Sequence, residues 1–203
     1  MNKDGSKKLI VDSLLIDDAV SKVDCIRAEA KKDKSFGFNW NFDEFLKAMY
    51  LLTSQAYGPR IQTRIINELK WVKIKASQNL GDALAMINNT YYEIKVSLIS
   101  SSNSSMNLVQ IRLWQNVNYL CFWFDIRTSK FSVYILTHDQ MKAETELMMA
   151  SAAHGTKEAN EVNQNVELRL SIKIDENNEN FKRWESKYKS NILDFLFALS
   201  KAS

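Results

Sequence analysis

The stretch Gly81–Leu98, GDALAMINNTYYEIKVSL, decides how the chain reads. Its apolar residues flank Asn88-Asn89, and Asn tolerates the left-handed backbone that tight hairpin turns demand. Taking Asn88 and Asn89 as a two-residue loop pairs Ile87 with Thr90, Leu84 with Glu93 and Asp82 with Lys95. Side chains share a face at every second residue of a strand. Asp82, Glu93 and Lys95 therefore fall on one face, and Ala83, Ala85, Ile87, Tyr92, Ile94 and Val96 fill the other. The assignment depends on parity, because a three-residue loop would turn Asp82 to the opposite face.

Directly opposed Cβ atoms lie roughly 4.5–5.5 Å apart and diagonal neighbours roughly 7–8 Å. Two carboxylates at such spacing can grip one hard divalent cation beside a lysine ammonium. Mg²⁺ takes oxygen ligands, keeps several waters and is commonly held by one or two carboxylates with substrate phosphate. Such an ion acidifies water and neutralises charge at phosphorus. A lysine next to it can orient or deprotonate the attacking water and stabilise developing charge. The plainer alternative is a cross-strand salt bridge between Asp82 and Lys95, which leaves Glu93 unexplained.

The surroundings predict an α/β or α+β order. A helix is expected over Ser13–Lys34, and a second opens at Asn41 with Glu44 as a capping-box-like pair. YGPR (57–60) punctuates before a further helical segment, IQTRIINELK. The strand-like runs are WVKIKAS, the hairpin, LVQIRLW, NYLCFWFDIR and KFSVYIL. A helix over Asp139–Ala153, a strand in NVELRLSIKID and a closing amphipathic helix over Asn180–Ser203 follow.

The bulk properties set outer limits. At 203 residues, 45% hydrophobic and 25% charged, the chain fits one domain with a real core. Residues 1–203 read as one unit: a helical N-terminal part to residue 56, a core over 57–136, and a helix, strand and closing helix over 137–203. A net charge of +3 does not mark a nucleic-acid binder, but the distribution is suggestive. Phe45–Asn67 carries only Lys47, Arg60 and Arg64, and Ile94–Phe124 only Lys95 and Arg112. Cations without acids suit an anionic partner, and buried structure lacks acids too. Cys25 and Cys121 make no disulfide framework, which favours a reducing cytoplasm. The N-terminus, where Asp interrupts each apolar run, is neither a signal peptide nor a membrane span. Without a Gly-rich phosphate loop or a Gly-x-Ser-x-Gly elbow, no nucleotide cofactor or serine-hydrolase chemistry is expected.

Asp82, ten spacer residues, then Glu93-Ile94-Lys95 resembles the PD-(D/E)xK nuclease motif, with Gly81 standing where the motif has proline. The order over Tyr57–Arg127 is similar to the core of Type II restriction endonucleases. That resemblance implies a single α/β domain with a mixed central β-sheet flanked by helices. It implies a Mg²⁺-dependent endonuclease for double-stranded DNA, with Mn²⁺ as a substitute ion, working as a homodimer in a bacterial or phage cytoplasm. Asp82 and Glu93 would hold the metal, Lys95 would position water, and Glu68, ending the preceding helix, would assist. Two alternatives stand beside it: a structure-selective repair, recombination or phage nuclease, and a non-catalytic DNA-binding subunit.

Candidate DNA contacts follow from side-chain chemistry. Arg60 and Arg64 suit phosphates. Ser77, Gln78 and Asn79 precede Asp82 so closely that they form either a contact or a simple turn. Gln110 and Arg112 alternate with apolar residues in a strand. His154, Thr156, Lys157 and Asn160 sit in a polar loop whose side chains can read base edges, although His154 before Gly155 also suits a helix end. Trp114 and Trp123 look like core, not a stacking surface.

Overall fold

Three helices lead the chain: α1 (Ala19–Lys32), α2 (Phe42–Tyr50) and α3 (Ser54–Glu68). The computed structural model describes residues 19–152 and 167–194. Asn41 caps α2 as its sequence predicts, its Oδ1 accepting the Glu44 backbone N–H at 2.8 Å. Gly58-Pro59 does not punctuate. α3 runs through both residues, because Pro59 lies near the helix start and its missing N–H frees only one carbonyl of the preceding turn.

The central sheet has six strands: β1 (Val72–Lys73), β2 (Ala83–Ala85), β3 (Thr90–Ile99), β5 (Asn118–Asp125), β6 (Phe131–Leu136) and β9 (Lys189–Ser190). They lie in the order β1-β2-β3-β5-β6-β9. β3 and β5 run parallel and the other pairs antiparallel. A parallel pair needs a crossover. Here the crossover carries β4 (Ser105–Ile111), which joins β8 (Leu168–Lys173) and β7 (Ser151–Ala152) in a second sheet, ordered β4-β8-β7. The helices α4 (His138–Leu147) and α5 (Glu179–Lys187) complete the domain.

A core lies on each face of the central sheet. Phe42, Phe45, Met49, Ile61 and Ile65 of α2 and α3 pack on Ala83, Ala85, Tyr92, Ile94 and Phe122. Tyr119, Cys121, Trp123 and Tyr134 face the small sheet and α5, meeting Met106, Leu108, Ile172 and Trp184. The chain is thus a single α/β domain with a mixed central sheet flanked by helices. β5, covered on both faces, explains why NYLCFWFD reads as an almost unbroken apolar run. Among the described residues no helix is long and apolar enough to cross a membrane.

Three expectations need correction. The hairpin loop is not Asn88-Asn89 alone: Ala85 pairs with Thr90, so residues 86–89 form the turn, with Asn89 in the left-handed region at φ 52°. Ile87 consequently leaves the apolar face and stands 95% exposed at the tip. The strand expected in WVKIKAS shrinks to two residues, and the helix expected to Ala153 ends at Leu147. Residues 1–18 and 195–203, in which parts of the expected terminal helices fall, lie outside the described residues.

Candidate active site

The register shift is two residues, so parity survives it. Leu84 pairs with Tyr91 and Ala83 with Tyr92, and the same register continued places Asp82 across from Glu93. Asp82, Glu93 and Lys95 share one face as the sequence predicts, while Ala83, Ala85, Tyr92 and Ile94 are buried on the other.

Gly81 makes the approach possible. Its φ is +77°, and a Cβ there would sit 2.7 Å from the Tyr92 carbonyl oxygen. Proline cannot adopt that φ, so this backbone has no place for one at residue 81. The Asp82 backbone N–H then donates to the Tyr92 carbonyl at 2.8 Å. Its carboxylate Oδ2 accepts the Ile94 N–H at 2.8 Å and the Gln62 Nε2 at 3.3 Å. The carboxylate thus takes over the position of a strand partner where β2 stops.

Glu93 and Lys95 are 4% and 7% exposed. Lys95 Nζ donates to Glu93 Oε1 at 2.8 Å and to the Gln110 carbonyl at 2.7 Å. The predicted alternative, a bridge from Lys95 to Asp82, is not what forms. Arg112 Nη1 lies 3.8 Å from Glu93 Oε1, while its Nε donates to Glu167 at 2.8 Å. Burial, then repulsion from Glu93, pushes the Asp82 carboxyl up to about 6, against the opposing pull of the Ile94 N–H, Lys95 and Arg112. One oxygen of each carboxylate, Asp82 Oδ2 and Glu93 Oε1, is held by donors; the other remains for a ligand. Tyr119, opposite Glu93 on β5, has a buried hydroxyl without a hydrogen-bond partner among the described residues.

Gln110 contributes differently from its expected role. It sits at a register shift in β4 with φ 56°, which turns its carbonyl to Lys95 and leaves its side chain exposed. Nothing in the sequence marks that bulge. Gln62 was missed too. It reaches the Asp82 carboxylate from α3, donating also to the Ile94 carbonyl at 2.7 Å.

Other predicted site residues go elsewhere. Glu68 is taken by Arg64 at 2.6 Å, almost two helical turns beyond Gln62. Among the described residues no group of three His, Cys, Asp or Glu side chains could share a metal, so Glu68 does not join Asp82 and Glu93. Arg64 is itself buried, donating to the Gly37 and Trp40 carbonyls and lying over Phe42 and Phe45; it braces α3 and meets no phosphate. Arg60 donates to the Ala56 and Ala30 carbonyls. The acid-free runs therefore largely reflect internal packing, since Lys47, Arg64, Lys95 and Arg112 all pair with carboxylates. Ser77, Gln78 and Asn79 are exposed on a short 3-10 turn that leads to Gly81, and Asn79 has φ 53°. His154, Thr156, Lys157 and Asn160 lie outside the described residues. Trp123 is core, whereas Trp114 is 39% exposed.

A cleft of about 580 Å³ adjoins the site. The N-terminal half of α3 forms one wall, β4 and Arg169 of β8 the other, and Ile94–Ser97 of β3 the floor. No protein-family model and no curated protein matches this sequence.

Proposed function

We infer that the protein is a divalent-metal-dependent phosphodiesterase acting on DNA, a restriction-endonuclease-like enzyme whose centre is Asp82, Glu93 and Lys95. The observation that carries this reading is the donor count. Two carboxylates face each other across strands, each oriented through one oxygen and open at the other, with an ammonium touching one of them. The donor set suits Mg²⁺, which needs only one or two carboxylates and completes its shell with waters and phosphate. Mn²⁺ has the same preference for oxygen. Asp82 and Glu93 would hold the ion. It would supply acidified water and neutralise charge at phosphorus. Burial first, and then repulsion from Glu93, raise the Asp82 carboxyl, and such a cation would offset both.

Lys95 has three N–H donors and spends two, on Glu93 and the Gln110 carbonyl. The third is available to a water or to a phosphate oxygen, so Lys95 orients the nucleophile and stabilises charge as a donor. Gln62 and the Ile94 N–H fix the Asp82 carboxylate in the required orientation. The water oxygen forms the new P–O bond, and a sugar oxygen departs, taking up a proton; no covalent enzyme intermediate is required. A homodimer would match a palindromic duplex target.

The test is digestion of unmethylated phage and plasmid DNA with Mg²⁺, alongside Glu93→Ala and an EDTA control. Discrete fragments from the wild type alone support the reading, and sequencing their ends gives the target. A protein that cuts no duplex, branched or single-stranded DNA with Mg²⁺ or Mn²⁺ is not a nuclease.

A further inference from the structure

The hydrolytic step uses only one end of the cleft. β2 covers β3 as far as Tyr92, and beyond that point the β2 side of β3 has no strand neighbour among the described residues. Side chains take the place of the missing strand. The Ile94 carbonyl accepts Gln62, the Leu98 carbonyl accepts Asn103 Nδ2 at 3.3 Å, and Val96 lies between them on the cleft floor. The walls are uncharged or cationic, with no acid among the lining residues. Arg169 is exposed, and among the described residues its side chain meets only Asn107 Oδ1, at 3.4 Å. Gln55 and Gln110 bring amides and Tyr57 brings a ring, whereas the Asn107 amide is spent on Asn103 Oδ1 and the Ser105 carbonyl, both at 3.1 Å.

Size then selects the occupant. At about 580 Å³ the cleft is in the usual range for small-molecule sites, roughly 300–1,000 Å³. A volume of that size suits a short run of one strand and not a whole duplex. We propose that the cleft seats an unpaired segment of the substrate strand beside the scissile phosphate at Lys95. Arg169 meets a backbone phosphate, the exposed Gln55 addresses a base edge, and the half-buried Tyr57 lends its ring for stacking. Nucleic acid fits better than an extended peptide added to β3, because the cationic, acid-free wall complements a phosphate backbone. The proposal rests on the nuclease reading and narrows its substrate: the DNA must be locally single-stranded or have a nucleotide extruded at the site.

The experiment is fluorescence anisotropy with Ca²⁺ replacing Mg²⁺, using a fluorescein-labelled twelve-nucleotide single strand of mixed sequence and the matching duplex. Wild type, Gln55→Ala, Arg169→Ala and Glu93→Ala are compared. Arg169 and Gln55 are exposed, so their variants keep the fold. Arg169→Ala should weaken single-strand binding about tenfold and reduce the salt slope by about 0.7. Glu93→Ala should retain the binding that it cannot convert to cleavage. A strand carrying 5-iodouracil should crosslink to Tyr57 on irradiation. Wild type that ignores the single strand, variants that bind it normally, or a cleft that takes an extended peptide instead would overturn the proposal. Those results leave the nuclease reading intact if Mg²⁺-dependent cleavage persists. Single-strand binding without any cleavage sinks the nuclease reading and leaves the cleft as a binding site.

Discussion

Two buried carboxylate clusters, one at Glu144 and one at Asp82 and Glu93, are built on opposite accounting. Glu144 of α4 accepts Arg183 Nε and Nη2 at 3.1 and 2.6 Å, Trp184 Nε1 at 2.9 Å and the Tyr188 hydroxyl at 2.9 Å. Burial alone would raise its pKa, but those donors more than offset it and hold the carboxyl below the usual range. At the other cluster two carboxylates share too few donors, and Asp82 is pushed up to about 6. Saturation distinguishes the two: the first cluster ties α4 to α5, and the second remains able to take a ligand. Perturbed carboxylates gather at functional sites for that reason, although ion pairs perturb them as well.

Glu144→Ala is the most severe way to break this comparison. It leaves Arg183 without its carboxylate and buries two orphaned donors, on Trp184 and Tyr188. The cost should be about 3–5 kcal/mol, read by urea denaturation, with Tm falling by roughly 10 °C. Cleavage by the fraction still folded at low temperature should be unchanged. A loss below about 1 kcal/mol would mean that desolvation cancels the network, and the two clusters would then not differ in kind.

Asp82→Asn should act in the other direction on the metal-free protein. Native Asp82 keeps its proton to about pH 6, whereas the unfolded group releases it near 3.8. Between these values the unfolded chain binds fewer protons, so wild-type stability falls as pH rises. The penalty is absent below about pH 4 and full above about pH 6, amounting to roughly 2–3 kcal/mol. Asp82→Asn should therefore be the more stable protein at pH 7.5 without metal, equal to wild type near pH 4, and inactive throughout. Mg²⁺ should raise the Tm of wild type and leave the variant unmoved. If the variant is no more stable at pH 7.5, Asp82 is not strained in the absence of metal.

Gly81→Ala tests how the strained cluster is assembled. Alanine at φ +77° is itself disfavoured, and its Cβ would meet the backbone of Tyr92 and Glu93, which cannot yield as a side chain would. A cost of about 2 kcal/mol is expected, with kcat falling more than KM rises, since Asp82 is displaced from Glu93. A variant with normal kcat would show that the hairpin has other ways to bring the pair together.

Much of this was legible in the sequence, for physical reasons that can be named. Apolar and charged residues alternate from Tyr92 to Val96, so the face shared by Glu93 and Lys95 could be read before the loop length was known, whereas Asp82 joins it only if the loop is even. The loop itself could not be read. Two and four residues preserve the same parity, and the turn residues Met86 and Ile87 are apolar for no reason the structure supplies. Glu68 was misread because helix position alone carries no information about which partner a side chain takes; Arg64, one turn earlier, claims it. Gln62 escaped notice, and Gln110 was expected to act through its side chain, for a different cause. One acts through an amide with no spacing signature, the other through a backbone carbonyl at a left-handed bulge.

The smallest effects sharpen the contrast most. Tyr188 and Tyr119 are both buried tyrosines beside a carboxylate, one at each cluster. The Tyr188 hydroxyl donates to Glu144, so Tyr188→Phe removes a bond to a charged acceptor and should cost about 1.5–3 kcal/mol. Among the described residues the Tyr119 hydroxyl has no hydrogen-bond partner, the Arg112 backbone near it lacking the geometry of a bond. Burial and the neighbouring Glu93 both disfavour its ionisation, so it stays a neutral donor. Tyr119→Phe deletes an unsatisfied group and should leave metal-free stability within about 0.5 kcal/mol of wild type, or slightly above it. The two substitutions remove the same atom from similarly buried rings, so a difference in ΔΔG between them measures donor saturation with packing held nearly constant. Equal costs would place a hidden partner on Tyr119 and bring the second cluster closer to the first.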